Sequence, residues 1–446
     1  MKNSNRVSHV WLAFLFLIAN VVASADDNVP RPPQRKPIAL IGATVHPVSG
    51  EAIPNATVVF EAGKITQVGT QVQMPPDVEP FDAAGLHIYP GLIESHSQLG
   101  LTEIASVAAT NDFQETGAMN ANAKAIVAVN PDSELIPVTR AGGVLVALTA
   151  PSGGAIAGKA AVIQLDGWTY EEMSLLDEAC LVVNWPQLGS GRRGRRPVPT
   201  EDADAATSQA DQRIKELRQW FDQGRAYLEL RKSAPQRQPF DLRLEGLADI
   251  LAGKTPILVR ADRLNEIQTV VAFAVEQNVK LIILGGYDAP MCADLLKKHD
   301  IPVIVSAVYR LPQRPSDPYD HSYTLPARLE AAGVRYSISG TDRSESWNVR
   351  TLPFHAGTAV AYGLSHDQAI RAITLSAAEI LGVSDRVGSI DVGKDATLII
   401  TDGSPLDIRT TILAAFIEGR FVDLDNKQTR LYRKYQQRLQ QWRDAQ

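Results

Sequence analysis

Between Pro90 and Val387 the sequence alternates two patterns, and that alternation restricts the fold more than any other feature. Short, nearly continuous apolar runs fall at 144–148, 161–165, 257–260, 281–284, 303–306 and 336–339. Between them, at 264–277, 289–299, 325–332 and 366–381, apolar residues recur every three or four positions, as on one face of a helix. Apolar strands interleaved with helices predict a parallel sheet covered by helices. Sustained over this length, the pattern suits a (β/α)₈ barrel of the TIM type. A doubly wound sheet has the same alternation, but no G-x-G-x-x-G follows an early strand.

The flanks read differently. IALIGATVHPVSG, ATVVFEAGKITQVG and HIYPGLI are β-branched runs parted by turn residues, and GSIDVGKDATLIITDG and ILAAFIEGRFVD repeat that character after Gly388. Segments 38–89 and 388–424 are therefore expected to form one composite β-sandwich beside the barrel of 90–387. Residues 186–238 read as an interruption of the barrel, an Arg-rich loop (GRRGRR) followed by a polar helix, and 425–446 as an exposed charged helix. APSGGAIAG, from Ala150 to Gly158, reads as a βα-loop and lacks the G-K-[ST] of a P-loop.

At the start, Lys2 and Arg6, the apolar run from Val10 to Val22 and Ala23-Ser24-Ala25 make 1–25 a secretory signal peptide. The expected location is exported, in the periplasm, with no membrane anchor after cleavage and a polar leader over 26–37. The 446 residues carry a net charge of −6, with 45% apolar and 21% charged residues. This is an ordinary globular composition, and its sign argues against a nucleic-acid partner. Cys180 and Cys292 are too few for a zinc–thiolate site, and their spacing leaves pairing open.

Three stretches resemble the amidohydrolase superfamily: the opening from Ile38 to Leu101 with PGLIESHSQLG, the segment from Gly340 to Val383 beginning GTDR, and the closing motif VGSIDVGKDATLIITDGSP. The stretch NPDSELIPVTRAGGVLVALTAPSGGAIAGKAAVIQLDGW is similar to an exported, imidazolonepropionase-like branch. The resemblance implies a metal held by the histidines of an H-x-H strand, by later barrel residues and by an Asp on the last strand, with hydrolysis of a C–N bond in a small molecule.

This chain keeps few of those groups. His96 stands at the first H-x-H position, Gln98 at the second, and Glu94 where the family has Asp. Alternation puts all three on one strand face. Arg260 replaces a histidine ligand and cannot bind a cation, and Leu284, Gly285 and Gly286 offer none. Asp342 is retained as the catalytic base and, with His96, as a ligand for one zinc or other divalent metal. His355 and Arg260, with Gln98, are candidates for contacting a ligand. Glu103, Asp112, Glu115 and His321 are further groups able to rebuild a site. Equally open is a metal-free lumen in which His96 pairs with Asp342 beside Arg260. Two functions follow: an amidohydrolase acting on a C–N bond, or a non-catalytic barrel that binds a small acidic ligand or pairs with a catalytic relative, as a homo- or hetero-oligomer.

Overall fold

A computed structural model of the chain describes residues 29–186, 200–234, 236, 239–341 and 346–446, with side chains from 208 onward in the helix that starts at Thr200. The signal peptide, the GRRGRR loop and Asp342 lie outside the described residues. Five strands open the chain: β1 (Ile38–Val45), β2 (Ile53–Glu61), β3 (Lys64–Gly69), β4 (Glu79–Asp82) and β5 (His87–Pro90). Eight follow: β6 (Leu92–Ser97), β7 (Val144–Thr149), β8 (Ile156–Gln164), β9 (Ser174–Val183), β10 (Ile257–Ala261), β11 (Leu281–Gly285), β12 (Val303–Ser306) and β13 (Tyr336–Ser339). β14 (Leu398–Thr401), β15 (Ile412–Ile417) and β16 (Arg420–Val422) close the chain.

The first five and last three strands share a single sheet in the order β16-β15-β14-β5-β1-β2-β3, with β4 on β1. The join is β14, antiparallel to β5. Period-two alternation gives this sheet two working faces. Leu398, Ile400 and Phe416 pack with Leu40, Val58 and Phe60 in its own core. Ile399, Ala415 and Ile417 turn into the barrel's core instead.

β6 to β13 form the second sheet, in sequence order. It departs from the all-parallel barrel that the alternation predicts: β8 runs antiparallel to both β7 and β9, whereas the remaining neighbours are parallel. The reason is chain length. A parallel crossover needs a dozen or more residues, and only 150–155 separate β7 from β8. The Gly-rich stretch is thus a hairpin connection and not a βα-loop, tied down by Asn184 Nδ2 donating to the carbonyls of Gly153 and Gly154 at 3.0 and 2.9 Å.

The sheet curls until β13 meets β6, and side chains make that seam. Ser339 Oγ and Thr341 Oγ1 donate to the His96 carbonyl at 3.2 and 2.6 Å. Ser337 Oγ donates to Ser95 Oγ at 3.0 Å, and the Gly340 N–H donates to Glu94 Oε2 at 2.8 Å.

Helix Thr200–Ser233, expected as a polar element, carries the crossover from β9 to β10. Ala210, Ile214, Leu217 and Phe221 recur at helical spacing, are buried, and lay a stripe against the barrel. Phe221 meets Phe273 edge-on at 5.3 Å. The single helix predicted over 366–381 is two, His366–Ala372 and Leu375–Leu381. It breaks because the Ile373 carbonyl accepts the Ile93 N–H of β6 at 2.8 Å.

Candidate functional site at the strand C-termini

Inside the barrel, Ile93, Leu258, Ile282 and Ile304 pack on Ala377 and Leu381 of helix Leu375–Leu381, forming an apolar floor. Two residues further along β10 and β12, on the same inward face, come Arg260 and Ser306. Arg260 Nη1 donates to Ser306 Oγ at 3.4 Å, and Ser306 Oγ donates to the Thr341 carbonyl at 3.3 Å. The lumen therefore turns polar toward the C-terminal ends of its strands, the end at which barrels of this class build their sites. Thr341 directly precedes Asp342 in the chain.

On β6, the pairing with β7 shifts register on both sides of the Ile93–Glu94 step. Glu94 is fully buried, and its carboxylate accepts the N–H groups of His96 at 3.0 Å and Gly340 at 2.8 Å. Burial outweighs those bonds and pushes its pKa up to about 7. Its Oε2 ties β6 to the end of β13, and its Oε1 is held by the N–H of His96 on its own strand. His96 is half-buried. Gln98 is 4% exposed, and its Oε1 has no hydrogen-bond partner among the described residues.

The other candidates are spread out. His355, on helix Leu352–Ala361, accepts the Val308 N–H on Nδ1 at 3.1 Å and packs on Tyr309 with ring centroids 4.1 Å apart. Burial lowers its pKa to about 4, so it is a neutral imidazole with its proton on Nε2. His321 stacks on Tyr287 at 4.2 Å, with Nε2 3.3 Å from the Tyr287 carbonyl oxygen. Asp112 and Glu115 are exposed and Glu103 is half-buried. Cys180 and Cys292 are both free and buried.

A catalytic zinc takes three protein ligands. Among the described residues, no group of three His, Cys, Asp or Glu is placed to hold a metal ion. Beside His96, the rim offers the neutral amide of Gln98 and the permanent cation of Arg260, linked to the His96 carbonyl through Ser306 and Thr341. Among the described residues, which do not include Asp342, that donor set does not fit a divalent metal.

Sequence reading missed a second constellation at this end of the barrel. Asp262, just past β10, accepts both guanidinium nitrogens of Arg310, and the Tyr287 N–H donates to its Oδ1 at 3.3 Å. Arg314 donates to Asp288 at 2.9 and 2.6 Å and to Asp317 at 2.9 Å, and the Tyr287 hydroxyl donates to Asp317 at 2.8 Å. Both guanidinium groups lie over the Tyr287 ring, at 5.9 and 5.5 Å from its centroid. The loop after β12 is thereby clamped onto the ends of β10 and β11. Gly285 allows it: its φ is +104°, and a Cβ there would stand 2.5 Å from Asp262 Oδ1. Gly285 thus has no room for a side chain.

Comparison with known proteins agrees with this architecture. The Amidohydrolase family matches residues 252–428. The amidohydrolase tasK of Hapsidospora irregularis is 24% identical over 403 residues, covering 81% of this chain but only 39% of its own length. The crystal structure of an amidohydrolase from Thermotoga maritima MSB8 superimposes with a TM-score of 0.75 at 25% identity, covering 86% of this chain and 99% of that one. The structure of molinate hydrolase shares the fold, with a TM-score of 0.53, 18% identity, and 89% and 96% of the two chains covered. The family match spans the later barrel strands and runs into β14 to β16, and the Thermotoga likeness embraces both sheets; together these matches support the amidohydrolase superfamily as the family of this chain.

Proposed function

We propose that this chain hydrolyses a C–N bond in a small molecule bearing an acid group, with Arg260 gripping that group and Asp342 serving as base to the attacking water. The observation that carries this reading is the position of Arg260, on the inward face of β10 at the polar end of a lumen whose floor is apolar. A guanidinium recognises a carboxylate through paired hydrogen bonds. Likeness to a hydrolase superfamily supports the reaction class. The imidazolonepropionase-like stretch suggests cyclic amides, and Arg260 suggests acidic dipeptides, as the first substrates to screen. Export through the leader 1–25 is part of the proposal.

A second reading is a non-catalytic barrel that binds an acidic ligand or pairs with a catalytic relative. The described donor set favours it, because water without a metal keeps a pKa near that of the bulk liquid.

One experiment separates the two. The mature protein, Asp342→Asn and Arg260→Ala are incubated with cyclic amides and acidic dipeptides, while ligand binding and metal content are measured. Turnover abolished by Asp342→Asn supports the hydrolase. Binding that depends on Arg260, without turnover, supports the second reading. About one zinc per chain, lost in Asp342→Asn, would show a site rebuilt around His96 and Asp342. Acid-ligand affinity indifferent to Arg260→Ala overturns the role given to that residue in both.

A further inference from the structure

We propose that the C-terminal helix Lys427–Asp444 is a docking element for anionic lipid, lying flat in the headgroup region of a bilayer. None of its residues is buried. Leu431, Tyr432, Tyr435, Leu439 and Trp442 are 41–64% exposed. At 3.6 residues per turn they fall within one arc of about 100°. Lys427, Lys434 and Arg438 border one edge of that arc and Arg443 the other, and Asp444 is the sole carboxylate in the helix. An apolar stripe rich in Trp and Tyr, edged by Lys and Arg, on a helix too polar to span, is the composition of an interfacial helix. Aromatic side chains with a polar tip favour the headgroup level.

The body of the protein explains the root of this helix but not its stripe. Asn426 caps it, with Oδ1 accepting the N–H groups of Gln428 and Thr429 at 3.0 and 3.2 Å. Arg433 pairs with Asp425 at 2.7 and 2.6 Å, and Arg430 reaches Glu134 at 3.4 Å. These bonds fix the first turns on the barrel and leave the apolar arc facing solvent. A helix that packs its apolar face on nothing is marginal in water.

Charge selects the occupant. The chain as a whole carries −6, so the acidic body is repelled by an anionic surface and the basic helix is the part drawn to it. Tyr432, Tyr435, Leu439 and Trp442 also have the 3-4-3 spacing of a coiled-coil seam. Two copies of this helix would set Lys434, Arg438 and Arg443 against their own kind, which disfavours self-pairing.

The test is co-sedimentation of the mature full-length protein with phosphatidylcholine vesicles, with and without phosphatidylglycerol, at low and high salt. Two variants accompany it, Leu439→Glu/Trp442→Glu and Lys434→Gln/Arg438→Gln, both at exposed positions and both checked for folding by circular dichroism. The expected result is binding that requires phosphatidylglycerol, weakens with salt, is abolished in the first variant and falls roughly thirtyfold in the second, about fivefold per cation. No binding to anionic vesicles at low salt, equal binding to neutral ones, or binding unchanged in the first variant overturns the proposal. A dimer of the protein alone that Leu439→Glu/Trp442→Glu dissociates overturns it in favour of self-association.

Discussion

Arg310 holds Asp262 with both arms of its guanidinium, Nη1 on Oδ1 at 3.1 Å and Nη2 on Oδ2 at 2.9 Å, across 48 residues of chain. The two side chains are 13% and 16% exposed. The pair bolts the loop after β12 to the end of β10, above Arg260.

Arg310→Ala leaves the Asp262 carboxylate mostly buried and unpaired, which costs about 3 kcal/mol. Urea unfolding is expected to show that loss, with Arg310→Lys recovering part of it because Lys cannot form the fork. Unchanged stability in Arg310→Ala would mean that the loop is held without this pair.

Arg140 and Asp166 form a second pair, at 2.9 Å with both side chains 4% exposed, and Arg420 stands 3.8 Å away. It joins the approach to β7, the end of β8 and the terminal sheet. Asp166→Leu takes the carboxylate away from buried Arg140, while Arg420 keeps Glu418 at 3.8 Å, and is expected to cost about 3 kcal/mol, whereas Arg140→Met/Asp166→Leu costs less than the single change. A double variant as unstable as Asp166→Leu would contradict this account.

Glu94 and His355 make stability depend on pH in opposite directions. Glu94 rises from 4.5 to about 7 on folding, so between those values the folded state holds more protons and stability falls as pH rises. His355 drops from 6.5 to about 4, so across that window the unfolded state holds more protons and stability rises with pH. His46, lowered to about 4 by burial and then by His87, adds to the rise. Each of the two fully titrated terms amounts to roughly 3 kcal/mol. Glu94→Gln is expected to steepen the rise of stability from pH 4 to pH 7, and His355→Asn to flatten or reverse it. Thermal unfolding of both variants over that range reads the two slopes, and parallel curves would refute both assignments.

Arg260→Ala is expected to weaken binding of acidic ligands by about ten- to a hundredfold, the worth of a hydrogen bond to a charged group, while neutral amide analogues bind unchanged. Calorimetric titration of matched acid and amide ligands is the measurement. Equal losses for both would show that Arg260 shapes the lumen and does not read charge.

Much of the fold was legible because apolar period reports burial directly. The runs at 257–260, 281–284, 303–306 and 336–339 are strands, and the helix expected at 264–277 is Leu264–Glu276. Less visible were features set by distant partners. The reversed β8 depends on the shortness of 150–155. The break at Ile373 depends on a carbonyl lent to β6. The burial of helix Thr200–Ser233 depends on a stripe of apolar residues from Ala210 to Tyr227 hidden among many charges.

The sequence by itself determined the alternation of strand and helix, the β-rich character of the two flanking segments, and the placing of Gln98, Arg260 and Gly285 at barrel strands, since each is a matter of residue type and spacing. Tertiary structure decided what those residues do. It committed Glu94 Oε2 to a seam between the first and last barrel strands, gave His355 to the Val308 N–H, and brought Asp262 and Arg310 together. Such pairings follow from where a curled sheet places its two edges and from which loop lies over its mouth, and no local stretch of chain encodes either.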